Sequence, residues 1–231
     1  MQGLIARCML LLAFAPATAA LAQGLAPDAL LRARTAEVIA QIGQNQELQA
    51  AGPAKVAALV ETSIIPLFDF AHMTRLAMAR NWRLATPEQQ KALTEEFKKL
   101  LVRTYSTALG HYRGEVIEFK KLRASPLDSE VTVRSHVKQA GKEPMSLDYH
   151  MEKTVEGWKI YDVKVAGVRL VTTYREFFAE KVREGGVDGL IKWLAEANRG
   201  GSSRFNTIKN SFWEKSRVIY AIFQSVFGSG R

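Results

Sequence analysis

The chain has 231 residues, 47% of them hydrophobic and 24% charged, with a formal net charge of +9. That composition excludes a disordered chain and allows one large domain or two small ones with a sizeable core. A single cysteine excludes a disulfide framework, and Lys and Arg form no run interleaved with aromatics, which argues against nucleic-acid binding.

Residues 1–22 stand apart. "MQGLIAR" carries one positive charge and no acid, and the apolar run "CMLLLAFAPATAALA" ends in Ala20-Leu21-Ala22, a small-x-small cleavage site. This is the pattern of a secretory signal peptide, with the mature chain starting at Gln23. A membrane span needs about 20 apolar residues, and Pro16 interrupts this run. Cys8 lies inside it, so the mature protein has no thiol and is held by its core alone. Loss of Arg7 leaves a mature charge of +8.

"DALLRARTAEVIAQI", residues 28–42, places Leu31, Val38, Ile39 and Ile42 on one helical face, and "GPAKVAALVETSII" predicts a second short helix ended by Pro66. "FDFAHMTRLAMARNW" follows with Met73, Leu76 and Ala77 at helical spacing. Thr86-Pro87-Glu88-Gln89 is a capping box with proline at the first helical position. From Pro87 to Leu109 the apolar stripe Leu93, Phe97, Leu101, Tyr105 and Leu109 recurs every four residues, and Gly110 fits the stop. From Glu115 the period becomes two. "EVIEFKKLR", "EVTVRSHVK", "MSLDYHMEK" and "GWKIYDVKV" predict four strands in an antiparallel meander with one core face and one wet face.

After Gly167 the helical period returns with Leu170, Tyr174, Phe177, Phe178 and Val182, and Gly185-Gly186 stops it. A last helix, "VDGLIKWLAEAN", presents Leu190, Ile191 and Leu194. Helices before and after one sheet make an α+β layout. Residues 200–231 open with Gly200-Gly201-Ser202-Ser203, a linker, and continue as an amphipathic tail. The predicted domains are therefore a signal peptide at 1–22, one folded domain at 23–199 and the linker and tail at 200–231.

Chemistry is sparse. The mature chain has no Cys, and its four His are not at metal-ligand spacing. His72 reads as structural and His111 as solvent-facing. His136, Asp148 and His150 fall on the wet face, where a proton-transfer pair would lie away from any buried site. There is no nucleophile elbow and no phosphate loop. Asp162 alternates on its strand with Trp158 and Ile160. It reads either as a base in an apolar pocket or, the favoured reading, as an acceptor that pins the following turn. The apolar stripes of sheet and helices fit a filled core or a cavity wall, and periodicity alone favours the core.

"FDFAHMTRLAMARNWRLATPEQQKALTEEFKKLLVRTY", then "VTVRS", "LDYHM", "GWKIYDVKVAGVRLVTTYREFF" and "GVDGLIKWL", resemble in order the MlaC family, also called the toluene-tolerance or ABC-transporter auxiliary family. The match covers roughly residues 28–198. Three positions depart from it: Ala79 stands at the usual Gly, Ala166 at the usual acid and Arg169 at the usual Ser. The resemblance implies an NTF2-like antiparallel sheet of about four strands packed against N- and C-terminal helices around an apolar cavity. It also implies a periplasmic phospholipid carrier with no catalytic group and no cofactor beyond its lipid cargo. Its implied partners are an outer-membrane lipoprotein complex and an inner-membrane ABC transporter with an MCE-type subunit, which together maintain outer-membrane lipid asymmetry. A monomer is expected.

On that reading the lipid-binding wall takes Val131, Val133, Leu147, Tyr149 and Met151 from the strands. Phe97, Leu101, Tyr105 and Phe177 come from the helices. The competing reading is an enzyme of NTF2-like fold with Asp162 as base. A structural adaptor with a filled core is the third.

Overall fold

The computed structural model describes residues 25–44, 59, 61–109, 115–138, 141 and 143–199. The predicted signal peptide, the stop at Gly110, His111 and the tail at 200–231 lie outside them. So does most of the second predicted helix, of which residues 61–63 are helical.

Helix α1, Pro27–Gln44, buries Leu31 and Val38 as its periodicity requires. A 3-10 turn at Ile65–Leu67 leads to α2, Phe70–Met78. The α2 start is fixed by Asp69, whose Oδ1 accepts from the His72 backbone N–H at 2.8 Å. A second 3-10 stretch, Ala79–Leu84, precedes α3, Pro87–Leu109. At that start the capping box forms reciprocally: Gln89 N–H donates to Thr86 Oγ1 at 3.2 Å, and Thr86 N–H donates to Gln89 Oε1 at 3.0 Å.

The sheet has five antiparallel strands in the order β1-β2-β3-β4-β5. They are β1 Val116–Phe119, β2 Glu130–Lys138, β3 Met145–Thr154, β4 Gly157–Val165 and β5 Val168–Arg169. The first predicted strand is shorter than its apolar alternation, and residues 120–129 are irregular. The fifth strand was not expected. Val165 pairs Val168, so Ala166 and Gly167 form a two-residue turn with φ of 45° and 90°. Positive φ at both central positions is what a type I′ hairpin needs, and glycine meets it without a Cβ clash. The chain thus folds back through a hairpin before it turns helical.

Helix α4, Leu170–Arg199, is broken at Gly185 (φ −140°, ψ 15°) and Gly186 (φ 67°, ψ −170°), where the sequence placed a stop between two helices. Its two halves pack on α2 and α3. Phe97 sits edge-on to Tyr174 at 4.9 Å and to Phe178 at 5.0 Å, with Met73, Leu93, Leu190 and Leu194 closing the layer. Each such side chain, fully buried, contributes about 1.5–3 kcal/mol. A second apolar cluster lies on the sheet beneath α1, and Phe68 touches both.

Candidate ligand-binding face

Strand pairing sets the apolar face of the sheet as three rows. Val131, Met151 and Ile160 form one, Val133, Tyr149 and Val163 the next, Ser135, Leu147 and Val165 the third. Val133, Met151 and Ile160 are closed off from solvent. Val131, Leu147, Tyr149 and Val165 are only half-buried, as are Leu30 of α1, Phe119, Leu122 and Trp158 around them. A sheet face pressed on a filled core would bury the whole grid. Here contiguous apolar side chains keep accessible surface, as Val131, Leu147, Tyr149 and Val165 show.

Tyr149 shows the same thing chemically. Burial pushes its phenol up to about 12, against the opposing effect of a hydrogen bond with Ser135. Yet the residue retains accessible surface.

The nine sequence-predicted wall residues divide. The five strand residues share the sheet face just described. Phe97 and Leu101 lie inside the helical layer, fully packed, and Phe177 is half-buried at its margin, 4.5 Å ring to ring from Trp193. Tyr105 is in α3, and its side chain lies outside the described residues.

Strict alternation misassigned β4. A bulge between Ile160 and Asp162 gives Met151 the partner Ile160 and His150 the partner Asp162, leaving Tyr161 as the extra residue. Trp158, Ile160, Val163 and Val165 therefore join the apolar cluster, while Asp162 does not share a face with Ile160. The bulge lies where Phe68 bridges Ile160 and Asp69 N–H donates to Ile160 O at 2.8 Å. Those contacts come from 92 and 91 positions away, so no local pattern announces them.

Asp162 is buried and its oxygens are occupied. Oδ1 accepts from the Val163 N–H at 2.9 Å and the Val171 N–H at 3.1 Å, and Oδ2 from Arg169 Nε at 2.6 Å. It ties the β4–β5 hairpin to the first turn of α4, the favoured sequence reading. Three donors, two of them backbone N–H groups, hold the carboxylate in this position.

On the wet face His136, Asp148 and His150 make no hydrogen bond to one another, although Glu118 lies opposite His136 and Asp162 opposite His150. His136 lies opposite Ser146, Asp148 between Arg134 and Lys164, and His150 Nδ1 meets Thr132 Oγ1 at 3.1 Å. Burial, then the Arg169 charge, lower the His150 pKa. Asp69, His72 and Glu152 bring three metal-type donor atoms within 4.8 Å. However, Asp69 caps α2 and His72 Nδ1 meets Glu152 Oε1 at 2.5 Å, so these donors already serve one another. His72, stacked on Tyr161 at 4.6 Å, is structural.

Comparison with known proteins follows the same lines. The family model described as "MlaC protein" matches residues 32–196. The chain belongs to the MlaC family. It is 25% identical over 184 residues to the toluene tolerance protein ttg2D of Pseudomonas putida, covering 77% of this chain and 85% of that protein. It is 22% identical over 174 residues to the intermembrane phospholipid transport system binding protein MlaC of Haemophilus influenzae, covering 74% and 81%. A solved structure of the phospholipid-binding protein from Ralstonia solanacearum, in complex with a phospholipid, is 41% identical. It superposes with a TM-score of 0.67 over 74% of this chain and 96% of that one. MlaC membership accounts for the α+β order and the five-stranded antiparallel sheet within one fold.

Proposed function

We propose that the protein is a phospholipid carrier of the periplasm. It takes lipid between an outer-membrane lipoprotein complex and an inner-membrane ABC transporter with an MCE-type subunit, acts as a monomer and does no chemistry on its cargo. The observation that carries this is the half-buried apolar sheet face in a chain 41% identical to a protein solved with a phospholipid. The periplasmic location rests on the signal peptide read at residues 1–22, and no described helix is long and apolar enough to cross a membrane.

Physical chemistry makes a container necessary. Each acyl CH₂ exposed to water costs about 0.8 kcal/mol, so two chains of about 15 carbons cost on the order of 25 kcal/mol. A dry apolar wall removes that cost, and exchange between sites of similar polarity needs no bond to break. The wall in this proposal is Val131, Leu147, Tyr149 and Phe177, with Val133 and Met151 as its floor. Phe97 and Leu101 belong instead to the packed helical layer.

The test is transfer of a fluorescent phospholipid from donor to acceptor vesicles kept apart by a dialysis membrane that passes the protein. Protein-dependent transfer proportional to protein concentration supports the proposal. Transfer no faster than in buffer contradicts it.

A further inference from the structure

Resting on the phospholipid-carrier reading, we infer that the Tyr149 hydroxyl donates a hydrogen bond to an ester carbonyl of the bound lipid and so makes the protein prefer ester-linked over ether-linked phospholipid. Two polar side chains interrupt the three-row apolar grid, Ser135 and Tyr149, on neighbouring strands. Ser135 is fully buried, and its Oγ donates to the Leu147 carbonyl at 3.2 Å, so its proton is committed. Tyr149 keeps accessible surface. Its ring is held by Val133 and Val163 on either side and stacks on Phe119 at 6.3 Å. Ser135 is the polar side chain beside the Tyr149 hydroxyl. With the Ser135 proton committed, the phenol O–H is the one donor of this grid that can turn to an incoming acceptor.

A diacyl phospholipid that buries its chains draws its ester carbonyls out of water behind them. A carbonyl removed from water without a donor is costly, and a well-placed neutral donor offsets the loss. Tyr149 stays protonated across the physiological range, because burial raises its pKa. Trp158 offers another N–H in this cluster, but it lies opposite Lys153, four residues along β3 from Tyr149. That is about 13 Å at strand spacing. An ether-linked lipid of equal chain length and head group lacks only the carbonyl, so it isolates the contact.

The purified protein is incubated with vesicles of equal parts diacyl phosphatidylethanolamine and its dialkyl ether analogue, re-isolated, and its extract weighed by mass spectrometry. The wild type is expected to be enriched in the ester form by about tenfold. Tyr149→Phe should bring the ratio in the lipid it carries to near one, while Trp158→Phe and Ser135→Ala keep the preference. A wild-type ratio near one overturns the inference, as does a Tyr149→Phe ratio equal to wild type. Uptake of neither lipid by the wild type overturns the carrier reading itself, a separate result.

Discussion

Arg169 Nε donates to Asp162 Oδ2 at 2.6 Å across the turn that joins β4 to β5. Asp162 is 1% exposed and Arg169 44%, so the two sides of the pair contribute unequally. Asp162→Ala strips the acceptor from two backbone N–H groups and a guanidinium, and should destabilise by about 3–5 kcal/mol. Arg169→Ala should cost less, about 1–2 kcal/mol, because solvent screens the half-exposed side. Urea unfolding midpoints of the two variants check the order. Equal small effects would mean that Asp162 is not the tie.

How much of this was legible in the sequence depended on range. The α3 start needed Thr86, Pro87 and Gln89 alone, and the break in α4 needed Gly185 and Gly186, so both were readable. The inner faces of β2 and β3 were readable because period two holds there throughout. The face of β4 was not, since Phe68 and Asp69 pair with Ile160 from far away in sequence and force the bulge at Tyr161. Nor was the partition of the wall: periodicity finds that Phe97 and Leu147 are apolar, but not that one is packed and the other half-open.

Ala79 has φ 49° and ψ −126°, and Ala166 has φ 45°. Both lie where a Cβ is strained and glycine is not. Ala79→Gly should stabilise by about 1 kcal/mol, the relief of strain exceeding the added entropy of the unfolded chain. Ala166→Asn should stabilise by roughly 0.5 kcal/mol by suiting the type I′ turn. Differential scanning calorimetry would show the rise in Tm, and a fall in both would remove strain as the explanation.

Leu147 and Phe97 separate wall from core. Leu147→Glu should retain the fold and lose bound lipid, since a charge on the open face can be solvated only by wetting the wall. Phe97→Ala should instead lower stability by about 3–5 kcal/mol, by emptying the packed space between Tyr174 and Phe178. Circular dichroism melts with lipid extraction check both. Unaltered lipid in Leu147→Glu would move the site elsewhere.

His150 gives the pH dependence. Burial and Arg169 hold its folded pKa below the usual value, while Asp162 and Asp148 oppose them and Lys164 reinforces them. The unfolded chain then takes up the proton first, near pH 6.5, so stability should fall as pH drops through that value toward the folded pKa. Urea midpoints from pH 7.5 to 5.5 should show this fall, and His150→Gln should flatten it. An unchanged slope in the variant would assign the effect to other groups.

The end of α4 is closed by the domain itself. Arg103 Nη1 donates to the Ala197 and Asn198 carbonyls at 3.2 and 2.8 Å, and Asn198 Nδ2 donates to Glu96 O at 2.9 Å. Two carbonyls of the last turn, those of Ala197 and Asn198, thus have partners within the domain. Truncation after Arg199 should leave lipid content and Tm nearly unchanged. Loss of lipid on truncation would make the tail part of the container and move the domain boundary past 199.

The most direct measurement is native mass spectrometry of the protein purified from the periplasmic fraction, with its organic extract identified in parallel. The account predicts a folded species heavier than the bare mature chain by one or more phospholipids, and bare mass alone for Leu147→Glu. Wild-type protein that is folded, bare and free of extractable phospholipid would contradict it.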